Sequence, residues 1–585
     1  MVNVKNLFGM AVMATALVGC SSNDNLAPDG KDNAGKTGTA YAKFTIQLPT
    51  TTGTGTRGDE AVKDGTPSFA EGTAAEYEVK NGTILIFDNS GKFVESTELG
   101  TMNPWKDVKT NGVTTAAIAT VKLEHVSLGE NNYKALVLLN NNSGTTTQKV
   151  ALPTSSSDTY DEWSKKANVT VANYKSTDGI FMANAPMFTS TTTDPTTLVP
   201  VANVCASPEE AQAKTATTVY VERGLAKVTM KNFEPSYTIA AGTYKGDEVV
   251  INNWQLDVTN KSTYPVHQTG VLNTILWNQT WADRFYDKDN GVFKRVYWGE
   301  DPNYSDNKYN VGDATVSPKK SALDCCKDAF NMISNAEVVG LPGDDKPQYC
   351  LENTFNLANM MQGQTTRVVF KAVYTPNALI GESDKTFYKI GNNTAIWKKA
   401  DLEKQILAVA INAMKITDPT EQAMYKVDLA LGSNISGKAG QHLIAADNIT
   451  FDPGSSTKTS QVKPEVIKEV NKKLGLSEDP TTHKVKVGIS TYLNGEAYYI
   501  ARIKHFNELT PWTPGTAYTD DATYLGRYGV LRNNWYELSV RSISGLGYPD
   551  VPEVKPNVQD DENDKYINVE VKILAWAMRK QVIDL

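Results

Sequence analysis

Few side chains in this 585-residue chain stand where they could do chemistry, and two of those would act on the chain itself. Cys20 closes Leu17-Val18-Gly19-Cys20, small residues running into a thiol with Ser21 and Ser22 behind it. Arg57 lies in Thr50-Thr51-Thr52-Gly53-Thr54-Gly55-Thr56-Arg57-Gly58-Asp59-Glu60 and is the only Lys or Arg between Lys43 and Lys63. A loop without bulky side chains is where a protease reaches the backbone, so Arg57-Gly58 is the candidate cleavage bond. Arg57-Gly58-Asp59 also spells an integrin-type tripeptide, too short to be told from chance.

The search for a catalyst returns little. The histidines His125, His267, His442, His483 and His505 are scattered, and none has a paired metal-ligand spacing. There is no GxSxG elbow, no P-loop and no dinucleotide fingerprint. Gly340-Leu341-Pro342-Gly343-Asp344-Asp345 offers two carboxylates to calcium, but turn chemistry accounts for the same residues. Cys205, Cys325, Cys326 and Cys350 show no CxxC spacing; an exported chain could pair some of them, though the adjacent Cys325 and Cys326 could not bond each other without strain. No cofactor or metal site is expected, and the chain reads as structural.

The amino terminus suggests an address. After Lys5, Leu7 to Val18 form an apolar segment of about a dozen residues, short of the roughly 20 that span a bilayer. It reads as a secretory signal, and its end at Cys20 resembles a bacterial lipobox. That resemblance implies cleavage before Cys20 and acylation there, which would hold the protein at a membrane without a spanning helix. With 58 basic against 66 acidic residues and a formal charge of −8, nothing recommends a nucleic-acid partner.

Strands must position everything else. Residues 21 to 40 form a polar, flexible stalk, and then Ala42, Phe44, Ile46 and Leu48 alternate with Lys43, Thr45 and Gln47 in a leading strand ended by Pro49. Thr83 to Phe87 and Lys92 to Ser96 flank a turn at Asn89-Ser90-Gly91, and the unbroken apolar run Ala135 to Leu139 predicts a strand covered on both faces. Further strands are read at Thr218 to Met230, Trp254 to Val258, Arg367 to Tyr374 and Trp535 to Ile543, with a hairpin turning at Asn494-Gly495. Two helices are expected, Asp401 to Met414 and one from Pro464 to Gly475. Tyr548 to Lys565, with three prolines and an acidic cluster, reads as an extended, poorly packed linker. Beyond it Ile567, Val569, Val571 and Ile573 alternate with polar residues in one last strand, able to close its own sheet or to add to another molecule's. The fold class is mainly β: two antiparallel β-sandwich domains with a few short helices.

Several stretches then fit together in order. They are the run into Cys20, the leading strand before Arg57, Val219-Tyr220-Val221-Glu222-Arg223-Gly224-Leu225-Ala226-Lys227-Val228, Cys350-Leu351-Glu352-Asn353-Thr354, Val530-Leu531-Arg532-Asn533-Asn534-Trp535-Tyr536, and the closing strand with Trp576 and Asp584-Leu585. In this order the chain resembles the Bacteroidetes-type fimbrilins of type V pili, most of all the shaft subunit of the short (minor) fimbriae. Residues 261–346 have no counterpart in the resemblance. It implies transthyretin-like sandwiches, lipidation at Cys20 and cutting between Arg57 and Gly58 by an Arg-specific protease. The strand carrying Ala42, Phe44, Ile46 and Leu48 would leave, and Ile567, Val569, Val571 and Ile573 of another copy would replace it. The implied divisions are 1–20 signal, 21–57 propeptide, 58–224 first domain, 225–548 second domain with insertions, and 549–585 linker and donor strand. Implied partners are identical subunits in a head-to-tail filament, accessory tip and anchor proteins, the protease, and the outer membrane before cleavage. Adhesion and biofilm formation would follow. A surface lipoprotein that binds glycans without polymerising, a tip or anchor subunit, and an enzyme are the other readings.

Overall fold

The computed structural model describes the chain apart from residues 1–38, 50–71, 100–105, 111–112, 129–131, 144, 167–173, 177–178, 188–194, 231–235, 276–284, 286–295, 392, 430–439, 453, 455–461, 507–516, 562–566, 575–578 and 582–585. It is mainly β. Alternation and turn residues account for the first half. β1 (Ala40–Pro49) buries Ala42, Phe44, Ile46 and Leu48 on one face, as its period of two requires. β2 (Gly82–Asp88) and β3 (Phe93–Glu98) are joined by a turn in which Gly91 takes a φ of 82° that a side chain would resist. β4 (Lys106–Thr110), β5 (Val113–Leu123), β6 (Tyr133–Leu139), β7 (Met182–Asn184) and β8 (Thr217–Arg223) follow. Together they run in the order β3-β2-β6-β7-β8-β1-β5-β4, with the short strand Val199–Pro200 also on β6.

This long sheet folds over on itself, and one core fills the fold. Phe44, Ile46 and Leu48 of β1 meet Ile84 and Ile86 of β2, Ala135, Val137 and Leu139 of β6, and Val219 and Val221 of β8. The other face of β6 supplies Leu136 and Leu138 to a second cluster, capped by Trp163, Tyr174 and Phe181. The unbroken apolar run of β6 is thus explained by burial on both faces.

After β8, at Gly224 and Leu225, the chain leaves this sheet for a second pair of sheets, the second domain of the fold. β9 (Ala226–Met230), β12 (Gly343–Cys350), β17 (Trp535–Ile543), β18 (Ile567–Leu574) and β19 (Arg579–Gln581) form one sheet in the order β12-β9-β17-β18-β19; β10 (Ser236–Thr238), β11 (Glu248–Asp257), β13 (Arg367–Thr375) and β16 (Glu496–Arg502) form the facing one in the order β10-β11-β13-β16. Their shared core holds Val228, Ile251, Trp254, Phe370, Tyr374, Tyr499, Tyr536 and Leu538.

Between β13 and β16 sits a smaller unit with its own core. α2 (Lys399–Met414) buries Leu402, Ile406 and Ala410, and α3 (Pro464–Lys473) buries Val470. Both pack on a four-stranded sheet holding β14 (Phe387–Ile390) and β15 (Ile489–Tyr492). The turn at Asn494 and Gly495, both with positive φ, is therefore a corner and not the tip of a hairpin. β15 pairs with β14 on one side of it, and β16 pairs with β13 on the other. Local turn chemistry marks where a chain reverses; which sheet each arm joins is set by distant strands.

Candidate assembly sites

The leading strand is central. β1 runs antiparallel to β5 from Ala40 opposite Leu123 to Leu48 opposite Thr115, and parallel to β8 from Phe44 opposite Thr217 to Gln47 opposite Tyr220. Its start is tied again, since the Tyr41 and Cys205 amides each donate to the other's carbonyl at 2.9 Å. Burying Phe44, Ile46 and Leu48 contributes roughly 5–9 kcal/mol gross at about 1.5–3 kcal/mol each. Removing the strand would part β5 from β8 and uncover Val121, Leu123, Val219 and Val221. Cys20, Arg57 and Gly58 lie outside the described residues.

The tail is at an edge. β18 lies antiparallel to β17, with Ile573 opposite Tyr536, Val571 opposite Leu538, Val569 opposite Val540 and Ile567 opposite Ile543. On its far side it carries only the three-residue β19 among the described strands. Within a single chain the donor-strand residues therefore stand in the sheet of their own second domain. β1 and β18 are thus placed in different domains and are not brought together.

The stretch before the tail differs from the expected loose linker. Tyr548 and Tyr498 exchange two backbone bonds of 2.7 Å, and the Val551 amide donates to Asn335 at 2.8 Å. The Arg367 guanidinium donates to the Pro552 carbonyl at 2.6 Å, and Pro556 packs tightly over Gly363. The run ends on two buried carboxylates. Asp560 accepts from Tyr518 at 2.6 Å and Thr365 at 2.8 Å, while Asp561 accepts from the Tyr528 hydroxyl and pairs with Arg527 at 2.8 Å. Burial holds the Asp560 carboxyl above its ordinary value, against the bonds from Tyr518 and Thr365 and the charge of Arg502. Prolines suit a strap of this kind because their missing N–H groups need no partner, and the acids find theirs in the fold.

Charged residues in the stretches that carry the resemblance meet at the junction of the two domains. α1 (Ala74–Tyr77) brings the buried Glu76, whose carboxylate pairs with Lys227 at 2.8 Å and accepts from the Tyr349 hydroxyl and, at 2.7 Å, the Thr73 amide. The Arg223 guanidinium donates to the Glu76 carbonyl at 2.8 Å, and the Lys227 ammonium stands 3.6 Å from the Trp535 ring centre. Burial pushes the Glu76 carboxyl up, but Lys227, Tyr349 and Thr73 outweigh it and hold it below the ordinary value. Beside this, Arg532 pairs with Glu352 at 3.1 Å, and His267 bridges Glu222 at 3.1 Å and the Trp298 carbonyl at 3.2 Å. No motif in the sequence marks this meeting. The available signal was charge set inside apolar strands, which is rarely tolerated unless paired.

The other sequence candidates stand apart. His125 is exposed 3.6 Å from Glu95, and His505 is buried between the Tyr536 hydroxyl at 2.8 Å and the Tyr297 carbonyl at 2.9 Å. Asp345 pairs with Lys346 at 3.2 Å. Among the described residues no cluster of His, Cys, Asp and Glu could hold a metal, and no helix is long and apolar enough to cross a membrane. Cys205, Cys325, Cys326 and Cys350 are all buried and free.

No curated protein matches the chain in sequence. Solved structures similar in part include a fimbrilin of Porphyromonas gingivalis, with 11% identity and a TM-score of 0.34 over 92% of this chain and 99% of that one. A provisionally named cell adhesion protein of Parabacteroides distasonis gives 11% identity and a TM-score of 0.36 over 93% of this chain and 99% of that one. A fimbrial assembly protein of the same organism gives 12% identity and a TM-score of 0.24 over 58% of this chain and 96% of that one. Likenesses this low add nothing to the argument. Residues 490–582, however, match the family described as major fimbrial subunit protein type IV, fimbrillin, C-terminal. That stretch holds β16, β17, the strap, β18 and β19, so it is over the tail and the strands before it that the chain is similar to the C-terminal region of the fimbrillins.

Proposed function

We propose that this chain is a structural subunit of a cell-surface pilus, of the shaft kind, assembled by strand exchange. It is exported as a lipoprotein acylated at Cys20 and held at the outer membrane. An Arg-specific protease cuts between Arg57 and Gly58, and the leading strand leaves with the lipid. The tail strand of another copy, with Ile567, Val569, Val571 and Ile573, then fills the slot between β5 and β8 by strand addition. Because the contact is head-to-tail and does not close, it builds a filament, to which tip and anchor proteins add and which serves adhesion and biofilm formation.

The observation that carries this reading is the position of β1. It is an interior strand of its sheet, paired on both sides and fully buried on its inner face, yet Pro49 leads directly into the stretch that contains Arg57. A central strand that one cut can detach is a slot made to be refilled. The fimbrillin match over 490–582 and the position of β18 next to the edge of its sheet support the same assignment. Electron microscopy before and after limited trypsin, with Arg57→Ala as the comparison, tests it. The cut protein is expected to form filaments and Arg57→Ala to remain monomeric; filaments from uncut Arg57→Ala protein would refute cleavage as the trigger.

A further inference from the structure

We propose that Asp560 and Asp561 are the fixed pivot of the tail, so that the strap from Tyr548 to Pro556 and on to Asp561 stays docked during assembly and only the chain beyond it swings. This rests on the strand-exchange reading above and states where that exchange must stop. The reason is a difference in what each segment gives up on leaving. β18 is held to β17 by a backbone ladder, and a slot between two strands returns a ladder to it. The strap is held by side chains particular to this domain. Tyr518 and Thr365 donate to Asp560, Tyr528 and Arg527 grip Asp561, and the Asp561 amide itself donates to the Tyr518 hydroxyl at 3.0 Å. Asp560 is fully buried, and the Asp561 side chain is 8% exposed against 4% for Arg527. The slot between β5 and β8 is faced by the apolar Val121, Leu123, Val219 and Val221, and a buried guanidinium left behind without its carboxylate is strongly disfavoured.

The consequence is geometric. An arm anchored at Asp561 is shorter than one anchored at Tyr548 by residues 549–561, roughly 40 Å of extended chain at about 3.3 Å per residue. Successive subunits are then held close, and the second domain of each donor is set against the first domain of its acceptor with little slack.

The strap contains a pair suited to a staple. The Gln362 amide donates to the Val558 carbonyl at 2.8 Å and the Asp560 amide to the Met360 carbonyl at 3.1 Å, which leaves Met361 and Gln559 as a non-hydrogen-bonded antiparallel pair. Such pairs bring α-carbons to about 4.5 Å, within the span a disulfide bridges. In the full chain, Met361→Cys with Gln559→Cys locks the strap, and Ser539→Cys with Glu570→Cys locks β18 to β17. Each is cut with trypsin and followed by electron microscopy, oxidised and then reduced. The oxidised strap staple is expected to assemble as its reduced form does, while the oxidised β18 staple loses its filaments and regains them on reduction. If the strap staple blocks filaments until reduced, the pivot is refuted and strand exchange stands. If the oxidised β18 staple still makes filaments, strand exchange itself fails. Hydrogen exchange on the unsubstituted protein asks the same without any substitution: the Gln362 and Asp560 amides keep their protection in filaments under this proposal, and lose it if the strap lifts.

Discussion

At the residue scale the molecule turns on charges that are buried and paired. Glu76 reaches across the boundary between the domains to Lys227, and Arg532 finds Glu352 far away in sequence, so their partners are supplied by folding and not by neighbours in sequence. Truncating one side of such a pair leaves the other buried and alone, which costs about 3–5 kcal/mol. Arg532→Ala should therefore lower stability by about that amount by stranding Glu352, measured as a fall in the urea midpoint; a change within error would mean that the junction reorganises freely. Glu76 also makes a pH prediction. Its folded pKa lies below the ordinary carboxylate value of 4.5, so the unfolded chain takes up its proton first as acid is added. Its contribution is complete above the unfolded value and is lost as pH falls through the folded one. Urea midpoints from pH 7 to pH 3 should thus show the advantage of the native protein over Glu76→Gln shrinking below about pH 4.5.

At the element scale, β1 and β18 are two strands of similar pattern in opposite situations. One is central and cannot leave without opening a core; the other is near an edge and covered on its far side by three residues. Edge pairing is the part of a sheet most easily exchanged. Phe44→Ala should destabilise the uncut protein by about 3–5 kcal/mol, as for a buried phenylalanine reduced to alanine. After trypsin and removal of the small fragment, the same substitution should have no effect, because the strand that carried it is gone. Calorimetry of both forms decides, and an equal loss in each would mean that the strand stays in place after cutting.

At the scale of the whole molecule, the proposed strand exchange makes each copy both acceptor, through a slot in the first domain, and donor, through a strand at the far end of the second. A chain ending before Tyr566 should fold to a monomer on the core that Val228, Ile251, Phe370, Tyr499 and Leu538 make together, and should form no filaments by electron microscopy after trypsin. Polymerisation of that truncation would count against donation by the tail.

Alternation was enough to find β1 and β18, an unbroken apolar run found β6, and turn residues found β2 and β3, because each of these marks lies in the strand's own residues or beside them. Spacing likewise found α2 and α3, whose inner residues Leu402, Ile406 and Val470 are buried as read. The strap misled for an equally physical reason. Prolines and acids describe a segment that makes no local structure, and they look the same whether it floats or is gripped. Arg527, Tyr518 and Tyr528, which grip it, come from elsewhere in the chain. The small unit between β13 and β16 and the corner at Asn494 were hidden in the same way, since pairing between distant strands leaves no local mark. What this sequence determined alone was the direction in which each strand buries its side chains. Which strand is central, which is at an edge, and which charges meet across the junction were decided only when the chain had closed, because those are relations between residues far apart in sequence.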